Sequence, residues 1–420
     1  MTNITIHQGN QIGGCITVIS TDTTKVVIDF GESLPGAKVE EQIAFDWAKE
    51  KVDAVFFTHY HGDHIGRFME IPKDVSLYMG EVTWKILRNI NDAIKNHEVV
   101  DYIDHRPNVH FINPNEPITV GDMVITPYSV DHSAFDAYMF LVETPDKNIL
   151  HTGDYRDHGH RGHKIKNGKD MNVMLEVIRC YVKQFGKRKI DVLITEGTMM
   201  GDRKNDRRYS EKQMLQDAKK LFKEHKHVFL KISSTNADSL ASFYHAAAEN
   251  GMALYASGYV LSQLDTFAEA SRDYTDFYQF ENKWPILPKP TENSPSSYLI
   301  SFNGERKHMR EDGFLCIVSE YGYYEELMAD FEDLHPIMIY SLWKGYIDQS
   351  IGGKSFNPEL AEFCKRHNAR DMHTSGHAYP EMIEAVINAV DPEELIPIHT
   401  ENRDGFATLQ IPERLKAGVE

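Results

Sequence analysis

The chain has 420 residues, of which 41% are hydrophobic and 26% charged, and its formal net charge is −18 at pH 7. This length is too great for one ordinary hydrophobic core, and the composition is that of a globular protein with two to three domains. The acidic excess argues against a protein that coats nucleic acid through a broadly basic surface. An enzyme acting on nucleic acid stays compatible with it, because bound divalent ions reverse the local sign of charge.

The sequence contains no run of about 18 apolar residues, so no membrane-spanning helix and no membrane partner are predicted. The residues after Met1 lack the basic and apolar segments of a secretory signal. The four cysteines, which are far apart and form no Cys-x-x-Cys pair, are Cys15, Cys180, Cys316 and Cys364. This pattern is typical of reduced thiols, and together with the start of the chain it predicts a cytoplasmic protein. Any metal ion would have to be bound by histidine and carboxylate.

The first part of the chain is rich in short strands. Residues 15–20 and 25–30 alternate between apolar and polar around a polar turn, which predicts a hairpin. A buried strand follows at 52–57, and a helix is predicted from Glu81. Further strands are predicted at 75–78, 109–112, 123–129, 138–143 and 148–151.

From about Asp191, buried strands alternate with amphipathic helices, which predicts parallel βαβ units. The predicted strands are 192–195, 228–232, 314–319 and 336–341. Helices are predicted to begin at Ser210, in a capping-box pattern, and at Asn236. Residues 283–310 are rich in Pro, Ser and Asn and predict a long surface loop, and residues 371–399 predict a last strand-helix-strand unit.

The most informative segment is the loop 58–64, Thr-His-Tyr-His-Gly-Asp-His, which follows a predicted buried strand. Loops at strand ends often carry binding and catalytic residues. Alternate residues His59 and His61 can face one metal ion, while Asp63 and His64 face a second. An isolated His-x-His pair would be a weak signal, since it also fits solvated loop groups, but the added Asp-His pair favours a metal site.

Three more candidate ligands follow apolar strands later in the chain: His132, Asp154 and His399. A carboxylate such as Asp154 can bridge two divalent cations while imidazoles complete their coordination. This set of nitrogen and oxygen ligands suits zinc, with manganese as an alternative. Taken singly, each of the three could equally be a polar residue satisfied at a strand end.

The whole ligand pattern resembles that of the metallo-β-lactamase superfamily: His59-x-His61-x-Asp63-His64, His132, Asp154 and His399. The resemblance implies an αββα sandwich with a binuclear site at the edge of its two sheets. It covers residues 1–195 and 371–420, so the βαβ segment between them, residues 196–370, is expected to be an inserted domain.

The insertion carries motifs that look like those of the β-CASP branch, which processes nucleic acids. Residues 194–203 resemble its acidic first motif, residues 373–378 its second and residues 397–401 its third. Residues 231–237 are similar to a Ser/Thr-rich strand end that contacts nucleic acid in ribonuclease J proteins. The implied fold class is α/β: a metallo-β-lactamase αββα sandwich with an inserted β-CASP-like parallel α/β domain, most similar to ribonuclease J.

Two segments depart from the ribonuclease J pattern. The family's Gly-Ser-Gln-Gly-Glu-Pro-like segment is replaced by residues 319–325. A histidine-rich loop with His158, His160 and His163 follows the strand at 148–151; it is expected to line or shield the site rather than to bind a third ion. The basic segment 203–208 is either a rim that faces nucleic acid or a solvated charged loop.

The resemblance also implies roles for the ligands. One ion is surrounded by His59, His61, His132 and a bridging Asp154, and the other by Asp63, His64, Asp154 and His399. Asp63 also contacts the attacking water. His377 is the candidate general acid, because a histidine near its ordinary pKa donates a proton around neutral pH. Glu196 is expected to orient His377 or a metal-bound histidine.

Substrate contacts are expected from His373, Ser375, Ser233, Ser234 and Asn236, together with the amide of Gly376. The residues alone leave alternatives open. His373 and His377 could cap the helix predicted near Tyr379. Ser and Asn residues before a helix are usually N-caps, although a helix N-terminus can bind phosphate as well.

The sequence therefore predicts a metal-dependent hydrolase with two Zn²⁺ ions, or Mn²⁺, that cleaves single-stranded RNA in a slot between its domains and leaves 5′-phosphates. DNA as substrate, and exonuclease or endonuclease action, stay open. The alternatives are a binuclear hydrolase of a thioester, lactone or other acyl substrate, and a non-catalytic RNA-binding protein. The chain ends soon after His399, without the assembly domain of ribonuclease J, so a monomer or a homodimer is expected.

Overall fold

A computed structural model describes residues 1–35, 37, 39, 41–184, 189–201, 208–320 and 322–416. The basic segment at 203–207 lies outside these residues, and so does Tyr321. The chain divides into two compact units. The first unit is Met1–Arg207 with Gly376–Glu420, and the second is Arg208–Ser375.

Among the described residues, strands predominate up to Asn172 and alternate with helices after it. The strands are β1 (Asn3–His7), β2 (Ile16–Ser20), β3 (Lys25–Ile28), β4 (Ala54–Phe56), β5 (Ser76–Met79), β6 (Val109–Phe111), β7 (Ile118–Val120), β8 (Met123–Ser129), β9 (Tyr138–Glu143), β10 (Asn148–His151), β11 (His163–Lys166), β12 (Lys169–Asn172), β13 (Val192–Glu196), β14 (His227–Ile232), β15 (Ala253–Ala256), β16 (Lys283–Pro285), β17 (Phe314–Ile317), β18 (Ile337–Ser341), β19 (Arg370–Asp371) and β20 (Glu394–Ile398). The predicted strands at 123–129, 138–143 and 148–151 have the bounds of β8, β9 and β10.

The α-helices of the described residues are α1 (Trp47–Glu50), α2 (Gly62–Ile65), α3 (Glu81–Ala93), α4 (His97–His105), α5 (Val173–Gln184), α6 (Glu211–Glu224), α7 (Ala237–Glu249), α8 (Gly258–Ser271), α9 (Ser296–Asp312), α10 (Gly322–Ala329), α11 (Gln349–Gly352), α12 (Pro358–Arg366), α13 (Pro380–Val390) and α14 (Glu413–Lys416). The predicted helix starts at Ser210 and Asn236 are confirmed, since each is the N-cap of a helix and Ser210 forms a complete capping box with Gln213. None of the described helices combines the length and apolarity needed to cross a lipid bilayer.

The first unit contains two six-stranded sheets, ordered β1-β2-β3-β4-β5-β6 and β20-β13-β10-β9-β8-β7. The predicted N-terminal hairpin is the antiparallel pair β2 and β3, whose β-branched residues favour extended backbone. Residues far apart in the chain complete the second sheet, where β13 pairs in parallel with β20. The C-terminal segment therefore belongs to the same sandwich as the N-terminal part.

The hydrophobic core of the first unit lies between these two sheets. Val26 and Phe56 of the first sheet share one buried cluster with Phe140 and Ile194 of the second. Burying each such side chain stabilises the fold by roughly 1.5–3 kcal/mol. Trp84 of α3 packs on the opposite face of the first sheet.

Helix α5 covers the outer face of the second sheet, where Ile178 and Tyr181 lie against Met139, Leu141 and Leu150. Helix α13 packs beside α5 and against β13. The layers are therefore helix, sheet, sheet and helix. The predicted αββα sandwich is confirmed.

The second unit is built on one six-stranded sheet in the order β16-β15-β17-β14-β18-β19. All of its strand pairs are parallel. Carboxyl ends of parallel strands share one edge of the sheet, and ligands of open α/β sheets bind there. Residues 233–236 follow β14 at that edge.

Two sequence predictions are wrong. Residues 283–310 were expected to form a surface loop, but β16 and most of α9 lie there. Helix α9 buries only Met309 among its described residues, so its sequence lacks an apolar stripe, and its proline and serine residues mark its start. The strand-helix-strand unit at 371–399 is split, because β19 joins the sheet of the second unit and β20 that of the first.

Candidate metal centre

The seven predicted ligands lie at one edge of the first unit, each just beyond the carboxyl end of a strand. Residues 59–64 follow β4, His132 follows β8, Asp154 follows β10 and His399 follows β20. The backbone of His399 is left-handed, with a φ of 49°. Such a conformation costs a non-glycine residue about 1–3 kcal/mol.

Three ring nitrogens converge in the first half of the centre. Nε2 of His59 lies 2.9 Å from Nδ1 of His61, and Nε2 of His132 lies 3.2 Å from the same Nδ1. Their ligand atoms all lie within 4.8 Å of one another. Both neighbours of His61 Nδ1 are ring nitrogens. Whether each contact is a hydrogen bond therefore depends on which of the three nitrogens carry protons.

The hydrogen bonds of the Nδ1 atoms of His132 and His59 show where the protons of these two rings lie. Nδ1 of His132 donates to the carbonyl of Gly376, 2.6 Å away. The Thr58 hydroxyl gives its one hydrogen to Asp29 at 2.8 Å, so it accepts from Nδ1 of His59 at 3.0 Å. Neutral His59 and His132 therefore both turn an unprotonated Nε2 towards His61.

The second half of the centre contains two carboxylates and two histidines. Oδ2 of Asp63 lies 3.1 Å from Nε2 of His399 and 3.8 Å from Nε2 of His64. Oδ2 of Asp154 lies 3.1 Å from Nε2 of His64, and its Oδ1 lies 3.8 Å from Nδ1 of His399. Nδ1 of His399 is 2.8 Å from the Thr198 hydroxyl, which fixes the ring. Asp154 thus contacts both His64 and His399.

Burial controls the charge of these groups. It lowers the pKa of His61 to about 4 and holds the pKa values of His59 and His132 well below the ordinary one. These three imidazoles are therefore neutral at pH 7, the form that binds a metal ion. Burial alone would raise the pKa of Asp63 and Asp154, but the surrounding histidines outweigh it and hold both below the ordinary value, so both are ionised.

The donor set fits divalent cations. Among the ion pairs of the described residues, Asp63, Asp154 and Glu196 pair only with histidines. Burial would lower the pKa of His64, but the nearby aspartates, Asp154 first, raise it well above the ordinary value, so positive charge is favoured at this point. In the first half, a single proton on His61 can satisfy only one of its two neighbours. A cation would satisfy all three nitrogens.

Glu196 and His377 lie beside the ligands. Glu196 is completely buried, and its Oε1 lies 3.3 Å from Nδ1 of His377. The same oxygen accepts from the amides of Tyr155 and Ala378, at 3.2 and 3.3 Å. Nδ1 of His377 also lies 3.6 Å from Oδ2 of Asp154, and its side chain is 20% exposed. The structure thus brings Glu196 and His377 to the cluster that contains Asp63, the third predicted catalytic residue.

Asp29 is a residue of the centre that the sequence analysis missed. Its Oδ1 accepts from the amide of Thr58 at 2.7 Å, and its Oδ2 accepts from Nδ1 of His64 at 2.8 Å. A carboxylate that holds a ligating histidine in this way fixes the tautomer and the ring orientation. The available signal was the position of Asp29 at the end of the predicted strand at 25–30.

Replacing Asp29 by asparagine is expected to weaken metal binding about 10- to 100-fold. The amide would present a donor where the carboxylate now accepts from both Thr58 and His64. Titration of the metal-free protein with Co²⁺ against a competing chelator measures the change. Asp53→Asn is the matched control, because Asp53 is exposed and accepts from the Lys25 amide in the same unit. Equal affinities of the two variants would show that Asp29 does not support the ligands.

The remaining predicted site residues belong to the second unit. Asn236 accepts from the Ser239 amide at 3.2 Å and is thereby the N-cap of α7. Ser233 accepts from the Thr235 amide at 3.3 Å, and the Ser234 hydroxyl donates to that of Tyr259 at 2.8 Å. The N-cap interpretation is therefore confirmed for Asn236.

The second motif begins in the second unit. The hydroxyl of Thr374, between His373 and Ser375, donates to the buried Glu211 at 2.6 Å. The alternative that His373 and His377 cap the next helix is wrong. That helix, α13, has Tyr379 as its N-cap, without a side-chain cap hydrogen bond.

An αββα sandwich with this histidine and aspartate cluster at its edge is a metallo-β-lactamase-type domain. Residues 24–180 match the family described as Beta-lactamase superfamily domain. The predicted resemblance to the metallo-β-lactamase superfamily is confirmed, and with it the class of divalent metal centre that the cluster fits.

Curated relatives carry ribonuclease names. Ribonuclease J of Helicobacter pylori is 26% identical over 197 residues, which are 45% of this chain and 26% of that protein. Ribonuclease J of Mycoplasma genitalium is 24% identical over 365 residues, or 84% of this chain and 58% of that protein. Endoribonuclease ysh1 of Emericella nidulans is 27% identical over 210 residues, or 45% and 22%. The chain thus spans 22 to 58% of the length of these relatives.

A solved structure has the same fold over nearly all of both chains. The crystal structure of a protein of unknown function from Enterococcus faecalis V583 covers 98% of this chain and 98% of its own, with a TM-score of 0.65 and 19% sequence identity. The likeness shows the fold alone. The combination of a metallo-β-lactamase-type sandwich and a second α/β unit is therefore not peculiar to this chain.

Proposed function

We propose that the protein is a metal-dependent ribonuclease that hydrolyses phosphodiester bonds of single-stranded RNA and leaves 5′-phosphates, with single-stranded DNA as the alternative substrate. Two divalent ions are proposed for the metal centre, zinc first and manganese as the alternative. The ribonuclease names of the relatives and the donor set of the centre support the proposal. The proposed location is the cytoplasm, in keeping with four free cysteines.

The observation that carries the proposal is the position of His377. Phosphodiester hydrolysis expels an alkoxide, which needs a proton, whereas a thiolate leaves without one. The His377 side chain is 20% exposed and lies beside the proposed ligands, and Glu196 lies 3.3 Å from its Nδ1. When Nδ1 of the protonated ring donates to Glu196, the second ring hydrogen lies on Nε2, where the leaving oxygen can take it.

The proposed ligands form two sets that share Asp154: His59, His61, His132 and Asp154 for one ion, and Asp63, His64, Asp154 and His399 for the other. The metal pair, when bound, would ionise a water molecule near neutral pH and neutralise charge on the phosphate. Asp63 is proposed to hydrogen-bond that water, since it is the carboxylate of the set with some solvent exposure, 13%.

The chain's own groups account for the remaining steps. His377 protonates the leaving oxygen, and Glu196 keeps its ring in place by accepting from Nδ1. His373, Ser375 and the Gly376 amide are proposed to bind a phosphate of the substrate. Ser233, Ser234 and Asn236 are proposed to bind phosphate at the carboxyl edge of the second unit's sheet.

A substrate panel tests the proposal. The protein, loaded with Zn²⁺ or Mn²⁺, is incubated with end-labelled 5′-monophosphorylated RNA, with single-stranded DNA and with a set of thioesters and lactones. RNA cleavage with 5′-phosphate products is the expected result. Release of mononucleotides indicates attack from a chain end, and a ladder of fragments indicates internal attack.

Each other outcome removes part of the proposal. Turnover of a thioester or lactone alone would replace the nuclease by an acyl hydrolase, which uses the same type of centre. RNA binding without any hydrolysis by the metal-loaded protein would favour a non-catalytic RNA-binding protein. Sedimentation of the same preparation distinguishes a monomer from a homodimer.

Asn236→Asp separates capping from phosphate binding. Aspartate caps a helix about as well as asparagine, so the free energy of unfolding should change by less than about 0.5 kcal/mol. A negative charge at a phosphate site should raise KM for RNA about tenfold while kcat stays unchanged. Asn357→Asp, at the N-cap of α12 in the same unit, is the control. An unchanged KM would leave Asn236 as a cap alone.

A further inference from the structure

The two-stranded hairpin of β11 and β12 is an unusual surface element of the first unit. It pairs with neither main sheet, and its turn at Asn167 and Gly168 has positive φ angles of 53° and 72°. An isolated two-stranded hairpin is only marginally stable in water. The side chains of β11 are all exposed, so core packing does not explain why the chain keeps this hairpin.

The hairpin presents three lysines on one face. Lys166 lies directly opposite Lys169, and Lys164 lies opposite Met171, so cross-strand geometry places all three lysines on the same side. Like charges directly opposite each other destabilise a hairpin. Within the part of the chain that the structure describes, none of these three lysines has an ion-pair partner. An anion bound from outside would remove the repulsion.

Two lysines of this face, Lys164 and Lys166, line a cleft of about 260 Å³ between the hairpin and α5, and Lys169 lies next to them, opposite Lys166. Lys164 and Lys166 form one side, and Tyr128 and Tyr181 contribute aromatic rings. Glu176 also lines the cleft, and Nη1 of Arg179 lies 3.1 Å from its Oε1. Basic side chains beside aromatic rings are the combination that binds single-stranded nucleic acid, through phosphates and stacked bases.

The base of the hairpin is fastened to the metal centre. The guanidinium of Arg161 donates to the carbonyls of His132 and Ala134, at 2.8 and 2.9 Å, and to that of Phe135. Tyr128 precedes His132 by only four residues, which limits their Cα separation to about 14 Å. The cleft and the proposed ligands therefore lie close together in the first unit.

The other end of the loop is fastened as well. The ring of His158 stacks on Tyr379, with centroids 4.5 Å apart, and Tyr379 follows His377 by two residues. Arg156 and Asp131 form an ion pair that is almost completely buried. The histidine-rich loop therefore attaches the hairpin both to the segment that contains His132 and to the segment that follows His377.

We infer that the cleft between β11–β12 and α5 is an accessory binding site for single-stranded RNA, in which Lys164, Lys166 and Lys169 bind backbone phosphates and Tyr128 stacks on a base. The inference rests on the proposed ribonuclease function and adds a second contact to the substrate, away from the bond that is cleaved. On a chain with a net charge of −18, these lysines supply local attraction for an anionic strand.

The test is the salt dependence of RNA binding. Affinity of the metal-free protein for an RNA of about twenty nucleotides is measured over a range of KCl concentrations. Each phosphate contact contributes about 0.7 to the slope of log K against log salt for single strands. The triple variant Lys164→Gln, Lys166→Gln, Lys169→Gln should lose about 2 from that slope, and Tyr128→Leu should bind roughly tenfold more weakly.

Matched controls separate the site from general charge and from damage to the fold. The triple variant Lys49→Gln, Lys51→Gln, Lys95→Gln removes the same charge from exposed positions of the same unit and should keep the full slope. Cleavage of a dinucleotide, too short to reach the cleft, should be unchanged in the hairpin variant, whereas a distorted metal centre would slow it.

Two results would overturn the inference, and they are distinguishable. In the first, the wild type binds and cleaves RNA, but the hairpin variant keeps the wild-type slope or the two triple variants lose the same amount of slope. The accessory site is then wrong and the ribonuclease stands. If the wild type neither binds nor cleaves RNA, the proposed function fails first, and the accessory site falls with it.

Discussion

Replacing Asp154 by alanine is expected to leave a folded protein that retains at most one metal ion and cleaves RNA at least about 10³-fold more slowly. Asp154 is buried, and its two oxygens contact different histidines, His64 at 3.1 Å and His399 at 3.8 Å. It also shares a cluster with His59. Without this carboxylate, the proposed ligand sets lose their shared member, and two cations would face each other without negative charge between them.

Metal content by atomic absorption after dialysis, together with the rate of RNA cleavage, measures this effect. Asp154→Asn keeps the shape of the side chain and should also lose metal, because the missing charge is the cause. Thermal unfolding of the metal-free variants reports whether either substitution damages the fold. Retention of two equivalents of metal by a folded Asp154→Ala protein would show that Asp154 is not the bridge.

The convergence of the candidate ligands could be predicted because each follows a buried strand whose apolar residues are plain in the sequence. His132 after β8, Asp154 after β10 and His399 after β20 all occupy that position. Strands of one sandwich end at shared edges, so residues distant in the chain are brought together by pairing alone. The motif at 59–64 then indicated which edge carries the chemistry.

The supports of the ligands could not be predicted in the same way. Asp29 and Thr198 hydrogen-bond the rings of His64 and His399, and the sequence offers no more than the position of Asp29 at a strand end to mark such a contact. Arg161 reaches the carbonyls of the His132 loop across 29 residues of sequence. Contacts of this kind depend on tertiary packing, which periodicity does not encode.

The place of Glu196 illustrates a limit of motif reading. The first β-CASP-like motif suggested that the inserted domain begins at residue 196. In the structure, Glu196 is the last residue of β13, which pairs with β10 and with β20 in the first unit. The pairing with β20 joins residues about 200 positions apart. A pattern within one segment does not reveal which sheet its strand joins.

Replacing His377 by alanine is expected to preserve metal content and folding while it lowers kcat for RNA by 10² to about 10⁴-fold. The reason is the proposed transfer of a proton to the departing oxygen, which in RNA is a poor leaving group. Since the side chain also lies 3.6 Å from Asp154, a metal ligand role is the competing explanation. Metal content alone does not separate an acid from a residue that binds substrate.

Substrates with different leaving groups distinguish a general acid from a residue that only binds substrate. A p-nitrophenyl phosphodiester expels a stable phenolate, so cleavage of that ester needs no acid, and His377→Ala should reduce its rate by less than about tenfold. Glu196→Gln, which weakens the partner of His377 Nδ1, should show the same dependence on the leaving group to a smaller degree. Equal losses on RNA and on the p-nitrophenyl ester would exclude His377 as the general acid. Because the ester and RNA share the phosphodiester group and the metal centre, only the demand for a proton differs between the two measurements.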